Sequence, residues 1–218
     1  MKNYFIAFCT SVLLAACVST PPAPEWQSQS LTALNAYSSA YLSGNSRVAE
    51  VEFERARHDI SATGRADLMA RAELLRCANQ VASLVLTPCV AYNALASQAK
   101  PEEQAYAAFI RGQWAGVDTA KLPVQYRGLV ASTTPGSSNL GQIQDPLSRL
   151  IAAGVLLQRE LLMPVDIALA VDTASNQGWR RPLLAWLGIQ LKRAQAAGDA
   201  SAAVLQQRID LVLQVKAD

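Results

Sequence analysis

Apolar residues recur at intervals of three or four along most of the chain, and short polar breaks with glycine or proline separate these stretches. That interval places the apolar positions on one face of an α-helix. A first helix is predicted over residues 28–43, with Leu31 and Leu34 on its apolar side, and Gly44 ends it. A second helix is predicted over residues 46–60, beginning at a serine that can cap it.

Later helices are marked by their start residues, because proline favours the first turn of a helix and acidic side chains favour its amino end. Pro101 and Pro164 are such starts, and Asp145 followed by Pro146 is another. Consecutive helices joined by short turns form αα-hairpins. The pattern predicts an all-α fold of antiparallel helical hairpins, with further helices over these ranges: 65 to the low eighties, 90–98, 101–115, 123–130, 145–162, 164–177, 182–197 and 199–215.

The longest polar stretch of the body, from Ser132 to Asn139, is interpreted as a loop. A chain of 218 residues with 51% hydrophobic residues can bury one sizeable core, so residues 28–218 are expected to form a single helical domain. The loop divides this domain into two possible halves, residues 28–131 and 145–218.

Charge excludes one class of partner. The net charge of +2 comes from basic and acidic residues interspersed along the chain, without a long run of either sign. Nucleic acid is not an expected partner, because binding to phosphates requires a concentrated basic face.

The first sixteen residues have the layout of a secretion signal, with Lys2 followed by an apolar run from Tyr4 to Ala16. A run of this length is too short to span a membrane, which takes about 20 apolar residues. Residues 17–27 contain several prolines and no helical periodicity, and they are predicted to form an extended tether.

The run Leu14-Ala15-Ala16-Cys17 resembles the lipobox of bacterial lipoproteins. This resemblance implies that cleavage exposes Cys17 and that acyl chains such as palmitate on this residue anchor the protein to a membrane. In that family an aspartate after the cysteine favours the inner membrane, and here the residue is Val18. The implied location is therefore the periplasmic face of the outer membrane. An ordinary signal peptide with an incidental Cys17 is the alternative.

Two cysteines, Cys77 and Cys89, remain in the body, and an exported protein can form disulfides. A bridge requires Cα atoms about 5.5 Å apart, so the helix carrying Cys77 would have to end near Ala82 or Ser83. The alternative is two buried thiols packed as small apolar groups. Two isolated cysteines do not complete a tetrahedral metal site, so no metal is expected.

Residues 35–56 resemble a tetratricopeptide repeat, with Gly44 at the turn and Ala49 and Phe53 at the spacings of its second helix. A looser similarity covers residues 183–204, and neither segment follows the usual 34-residue spacing. The resemblance implies an α-solenoid of stacked hairpins.

Groups for catalysis are sparse. The single histidine, His58, lies among charged residues on a predicted helix surface, and Glu50, Glu52 and Glu54 spread around the same helix. No nucleophile elbow, phosphate loop or zinc-helix motif is present. The sequence therefore predicts no catalytic residues, no cofactor and no enzyme.

Trp179, Arg180, Arg181 and Trp186 are the candidate partner-binding residues, because tryptophan and arginine are enriched at protein interfaces. Core tryptophans beside solvated arginines would give the same pattern. The leading hypothesis is a membrane-anchored scaffold or assembly adaptor that binds another envelope protein or peptide. A cell-wall enzyme or enzyme activator and a small-ligand-binding lipoprotein are the alternatives.

Overall fold

The computed structural model describes residues 24–131 and 139–214, so Cys17, the predicted signal and nearly all of the predicted loop lie outside the described residues. These residues form helices and connecting turns without a β-strand, which confirms the predicted all-α fold. The α-helices of the described residues are α1 (Glu25–Ser43), α2 (Ser46–Ser61), α3 (Ala66–Ala82), α4 (Val90–Leu95), α5 (Pro101–Ile110), α6 (Val124–Ala131), α7 (Pro146–Gln158), α8 (Pro164–Asn176), α9 (Arg180–Ala196) and α10 (Ser201–Gln214).

Local signals explain where several helices begin and end. Asn45, and not Ser46 as predicted, caps α2, because its side chain accepts a hydrogen bond from the backbone N–H of Val48 at 3.2 Å. The side chain of Asp145 accepts one from the N–H of Ser148 at 2.7 Å, and this bond caps α7. Gly44 ends α1 with a φ of 91°, a left-handed conformation that glycine adopts without steric cost.

Several helix boundaries differ from the prediction, and α5 is one of them, since it ends at Ile110 instead of continuing to residue 115. Helix α1 already begins at Glu25, inside the stretch predicted as tether, since Pro24 occupies the position before its first turn. Helix α7 ends at Gln158 instead of continuing to residue 162. Glu160 has a φ of 58°, which a right-handed helix does not allow, and Leu161 is 40% exposed instead of buried.

The larger hydrophobic core takes residues from α3 to α10, on both sides of the predicted dividing loop. A smaller cluster joins α1, α2 and α3 around Tyr37 and Phe53, whose ring centroids lie 5.0 Å apart. Within the larger core, α7 meets α3 at Gly154, where a Cβ would collide with the carbonyl oxygen of Val81. The absence of a side chain at Gly154 therefore allows the two backbones to approach.

Helices α1 and α2 pack together as a hairpin, and Ala49, Phe53 and Ala56 of α2 are buried. Helices α9 and α10 form a second hairpin. In a solenoid each repeat contacts only its neighbours. Here α1 also contacts α9 and α3 contacts α7, so the chain folds back on itself and differs from an open array of repeats.

Cys77 and Cys89 form a disulfide, with their Cα atoms 5.9 Å apart. Helix α3 ends at Ala82, and the segment that follows brings Cys89 back beside α3. The bridge and the helix break that it requires are both confirmed. Within residues 24–131 and 139–214, no helix combines the length and apolar character needed to cross a membrane.

Candidate functional site

The two tryptophans predicted to bind a partner belong to the core. Trp186 is fully buried, and its Nε1 donates a hydrogen bond to the carbonyl oxygen of Ala82 at 3.1 Å. Trp179 precedes the first turn of α9 and packs, half-buried, against the same core. Neither ring is available as an exposed aromatic anchor.

The neighbouring arginines contact the turn between α1 and α2. Arg181 donates hydrogen bonds to the carbonyl oxygen of Tyr41 at 2.7 Å and to Oγ of Ser46 at 2.6 Å. Its guanidinium also lies 4.2 Å from the centroid of the Tyr41 ring, a cation–π contact. The side chain of Arg180 packs beside Gly44. The structure thus places both arginines at a contact within the molecule.

A different feature has the shape of a binding site. An open cleft of about 720 Å³ lies between α1, α3, α5, α6, α7 and the turn at residues 119–121, and it is called the apolar cleft below. This volume is within the range of small-molecule and peptide pockets, roughly 300 to 1,000 Å³. Its apolar lining includes Leu31, Leu34, Leu74, Leu75, Leu147 and Ile151.

Leu31 is the most informative of these residues. It lies on α1 at the edge of the apolar cleft and is 59% exposed, although helical periodicity places it on the inner side of α1. An exposed leucine alone is ordinary, but one that continues a contiguous apolar surface marks an interaction site. The exposure of Leu31, where the sequence pattern predicts burial, therefore indicates an uncovered apolar surface at the cleft.

Charged residues around the apolar cleft are balanced, with three of each sign: Arg71, Lys121 and Arg127 against Glu102, Glu103 and Asp145. Several are engaged within the molecule. Nε of Arg71 lies 3.5 Å from Oε1 of Glu103, and Arg127 donates to two backbone carbonyls of the preceding turn. The rim therefore has no strong preference for a charged ligand.

Two acceptor atoms near the cleft lack a donor among the described residues. They are Oδ1 of Asn79 and Oε2 of Glu103, and both are buried. The amide Nδ2 of Asn79 donates to Ser38 Oγ at 3.1 Å and to the carbonyl oxygen of Leu75 at 2.9 Å. Because both acceptors are covered by other atoms, the open surface of the cleft remains mainly apolar.

Two of the polar groups in the wall are the tyrosines Tyr106 and Tyr126. Burial raises the pKa of Tyr126 to about 12, and burial also raises the pKa of Tyr106 well above its ordinary value. Tyr126 interacts with the hydroxyls of Tyr106 and Ser148, and Gln125 donates to Ser148 Oγ at 3.2 Å. These phenols stay neutral at physiological pH, so they act as hydrogen-bonding groups and not as bases.

A stack of aromatic rings extends from this wall into the protein. Tyr126 lies 5.8 Å from Tyr106 and 4.5 Å from Phe109, measured between ring centroids. Phe109 stacks in turn on Trp114, and the guanidinium of Arg159 covers the Trp114 ring at 4.5 Å. Because these rings pack in or against the larger core, this wall of the cleft is continuous with that core.

The residues considered for catalysis lie away from the apolar cleft. His58 is exposed in the last turn of α2. Glu50 and Glu54 pair with Arg76 and Arg57, at 3.1 and 3.0 Å. In the described part of the chain, no group of three or more histidine, cysteine, aspartate or glutamate side chains is placed to hold a metal ion.

No protein-family model, curated protein or solved structure matches this chain.

Proposed function

We propose that the protein is a lipid-anchored adaptor of the bacterial envelope, held at the periplasmic face of the outer membrane through Cys17. In this proposal the apolar cleft binds an apolar segment of another envelope protein or peptide. The protein has no cofactor and catalyses no reaction in this role.

The observation that carries the proposal is the open, apolar surface of the cleft. A cleft of about 720 Å³ with balanced charges suits an uncharged apolar segment. Leu31 in its lining is 59% exposed, so part of this apolar surface is accessible to a protein partner.

A small apolar ligand is the second candidate. The hydroxyls of Tyr106 and Tyr126 support it, because ligand pockets combine apolar walls with a few placed polar groups. The openness of the cleft favours the adaptor, since a small ligand would remain largely in contact with water.

The proposal is tested by cross-linking in intact cells, with captured proteins identified by mass spectrometry. Leu31→Glu places a charge in the cleft, and Leu211→Glu is the matched control on α10, where Leu211 is 66% exposed and does not line the cleft. We expect one defined envelope protein to be captured by the native chain and by the Leu211→Glu variant.

Capture by Leu31→Glu should fall at least about tenfold, because burying a charge in an apolar contact costs more than 1.4 kcal/mol. Capture should also require lipidation, so Cys17→Ala should lose it. Equal capture by the Leu31→Glu and Leu211→Glu variants would contradict the proposed role of the cleft.

A further inference from the structure

We infer that, away from a bilayer, the apolar cleft holds an acyl chain of the protein's own Cys17, and that insertion of this chain into a membrane empties the cleft. This inference rests on the proposed function, because it requires lipid on Cys17. It adds a regulatory step: the cleft becomes free for a partner only when the protein is anchored.

The length of the N-terminal segment permits this contact. Cys17 lies seven residues before Pro24, a span that reaches at most about 25 Å when extended. Leu31 lies six residues into α1, which is about 9 Å along the helix axis. The acyl chains therefore start within reach of the cleft.

The chemistry of the cleft suits an acyl chain as its occupant. The apolar leucines of α1, α3 and α7 line one continuous surface, and the rim charges cancel. An acyl chain is apolar, uncharged and flexible, so it requires no hydrogen-bond partner from the wall. Leu31, exposed when the cleft is empty, would be covered by such a chain.

A membrane competes for the same chain. The cleft is open, so it covers an acyl chain on one side only, whereas a bilayer surrounds the whole chain. Transfer to the bilayer is therefore favourable, and it uncovers the apolar surface near the membrane where a partner would bind.

The experiment uses the full lipidated protein from cells that have been fed a diazirine-bearing fatty acid, which makes the acyl chains on Cys17 photoreactive. The purified protein is irradiated with and without vesicles of phosphatidylethanolamine and phosphatidylglycerol, and the cross-linked peptides are mapped. We expect the acyl cross-links to lie on the cleft segments of α1, α3 and α7 in the absence of vesicles. With vesicles they should fall at least about tenfold, because the bilayer takes the chain.

Two variants serve as the matched pair. Leu31→Glu should lower the cleft cross-links, and Leu211→Glu should leave them unchanged, since both leucines are exposed and neither substitution disturbs the core. Cross-links that lie outside the cleft, or that are insensitive to vesicles, would overturn the inference.

A second copy of the chain is an alternative source of the acyl chain. Mixing the lipidated protein with isotopically heavy Cys17→Ala protein separates the two sources, because cross-links on heavy peptides arise between molecules. Cleft cross-links found mainly on heavy peptides would overturn the intramolecular contact.

The outcome is distinguishable from that of the proposed function. Lipid on Cys17 without cleft cross-links removes only this inference, and partner capture in cells can still succeed. Cleft cross-links with no partner captured by the lipidated chain would remove the adaptor role and keep the acyl contact.

Discussion

Gly154 shows how one missing side chain determines a helix contact. A Cβ at this position would collide with the backbone oxygen of Val81 and lie 2.9 Å from its Cγ1. Because backbone atoms cannot turn aside as a flexible side chain can, we expect Gly154→Ala to lower the free energy of unfolding by about 1–3 kcal/mol. Chemical denaturation of the purified protein measures this change.

Gly188 provides the control for this substitution. It lies in the middle of α9, and a Cβ there would meet nothing within 4 Å. Gly188→Ala should raise the free energy of unfolding by about 0.5–1 kcal/mol, because alanine favours the helix. If Gly154→Ala also raised the free energy of unfolding, the result would contradict the close approach of α3 and α7 at Gly154.

Single residues also limit what the sequence can predict. The spacing around Trp186 fits a helix whichever way the ring faces, so the pattern leaves both an exposed anchor and a core position open. The Trp186 ring is 0% exposed because it packs beside Ala82, about a hundred residues earlier in the chain. The local sequence pattern does not predict a contact between residues so far apart.

At the scale of elements, a buried carboxylate joins α2 and α3. Glu73 is 3% exposed, and its Oε1 lies 3.6 Å from Nε of Arg57. Burial raises the pKa of Glu73 above its ordinary value of 4.5, although Arg57 opposes this shift. The folded chain therefore binds this proton more tightly than the unfolded chain does, and the contribution of Glu73 to stability falls as pH rises from 4.5 through the raised pKa.

Glu73→Gln removes this titration. We expect Glu73→Gln to change the free energy of unfolding in a more stabilising direction at pH 7 than at pH 4. Denaturation of both proteins at the two pH values measures this difference. Arg57 keeps its contact with Glu54 at 3.0 Å. Glu54→Gln, at a largely exposed carboxylate, should change stability by less than about 0.5 kcal/mol at either pH. An equal effect of Glu73→Gln at both pH values would contradict the raised pKa.

The sequence predicts the starts of helices better than their ends. Pro101, Pro146 and Pro164 each begin a helix as predicted, because a fixed φ and a missing N–H act locally. The end of α7 is less predictable. The apolar residues Leu161 and Leu162 continue the spacing, but the left-handed backbone at Glu160 stops the helix before them.

At the scale of the whole molecule, Arg181 joins the α1–α2 hairpin to the larger core. Its two hydrogen bonds, to Tyr41 and Ser46, link residues about 140 positions apart. Arg181→Ala should lower the free energy of unfolding by about 1.5–3 kcal/mol, the usual cost of removing hydrogen bonds made by a charged group.

Arg193 is the control, since it is exposed in the last turn of the same helix. Arg193→Ala should change stability by less than about 0.5 kcal/mol in the same thermal or chemical denaturation. If Arg181→Ala had an equally small effect but abolished partner capture in cells, the interface role first expected from the sequence would be restored.

The apolar cleft is also a property of the whole molecule. It requires α1, α3, α5, α6 and α7 to be placed around one space, and no motif in the chain specifies that placement. The sequence predicts each of these helices, and its apolar spacing places Leu31 and Leu34 on the apolar side of the first one. It does not indicate that part of the α1 face stays uncovered, because that depends on contacts between distant elements.

The disulfide has a consequence for how the protein is made. Cys77 and Cys89 are the only cysteines of the described residues, and they leave the ribosome twelve residues apart. If Cys9 is removed with the signal and Cys17 is acylated, as proposed above, these two thiols allow a single intramolecular pairing. An oxidant is then sufficient to complete this part of the protein, and no isomerase is needed to correct wrong pairings.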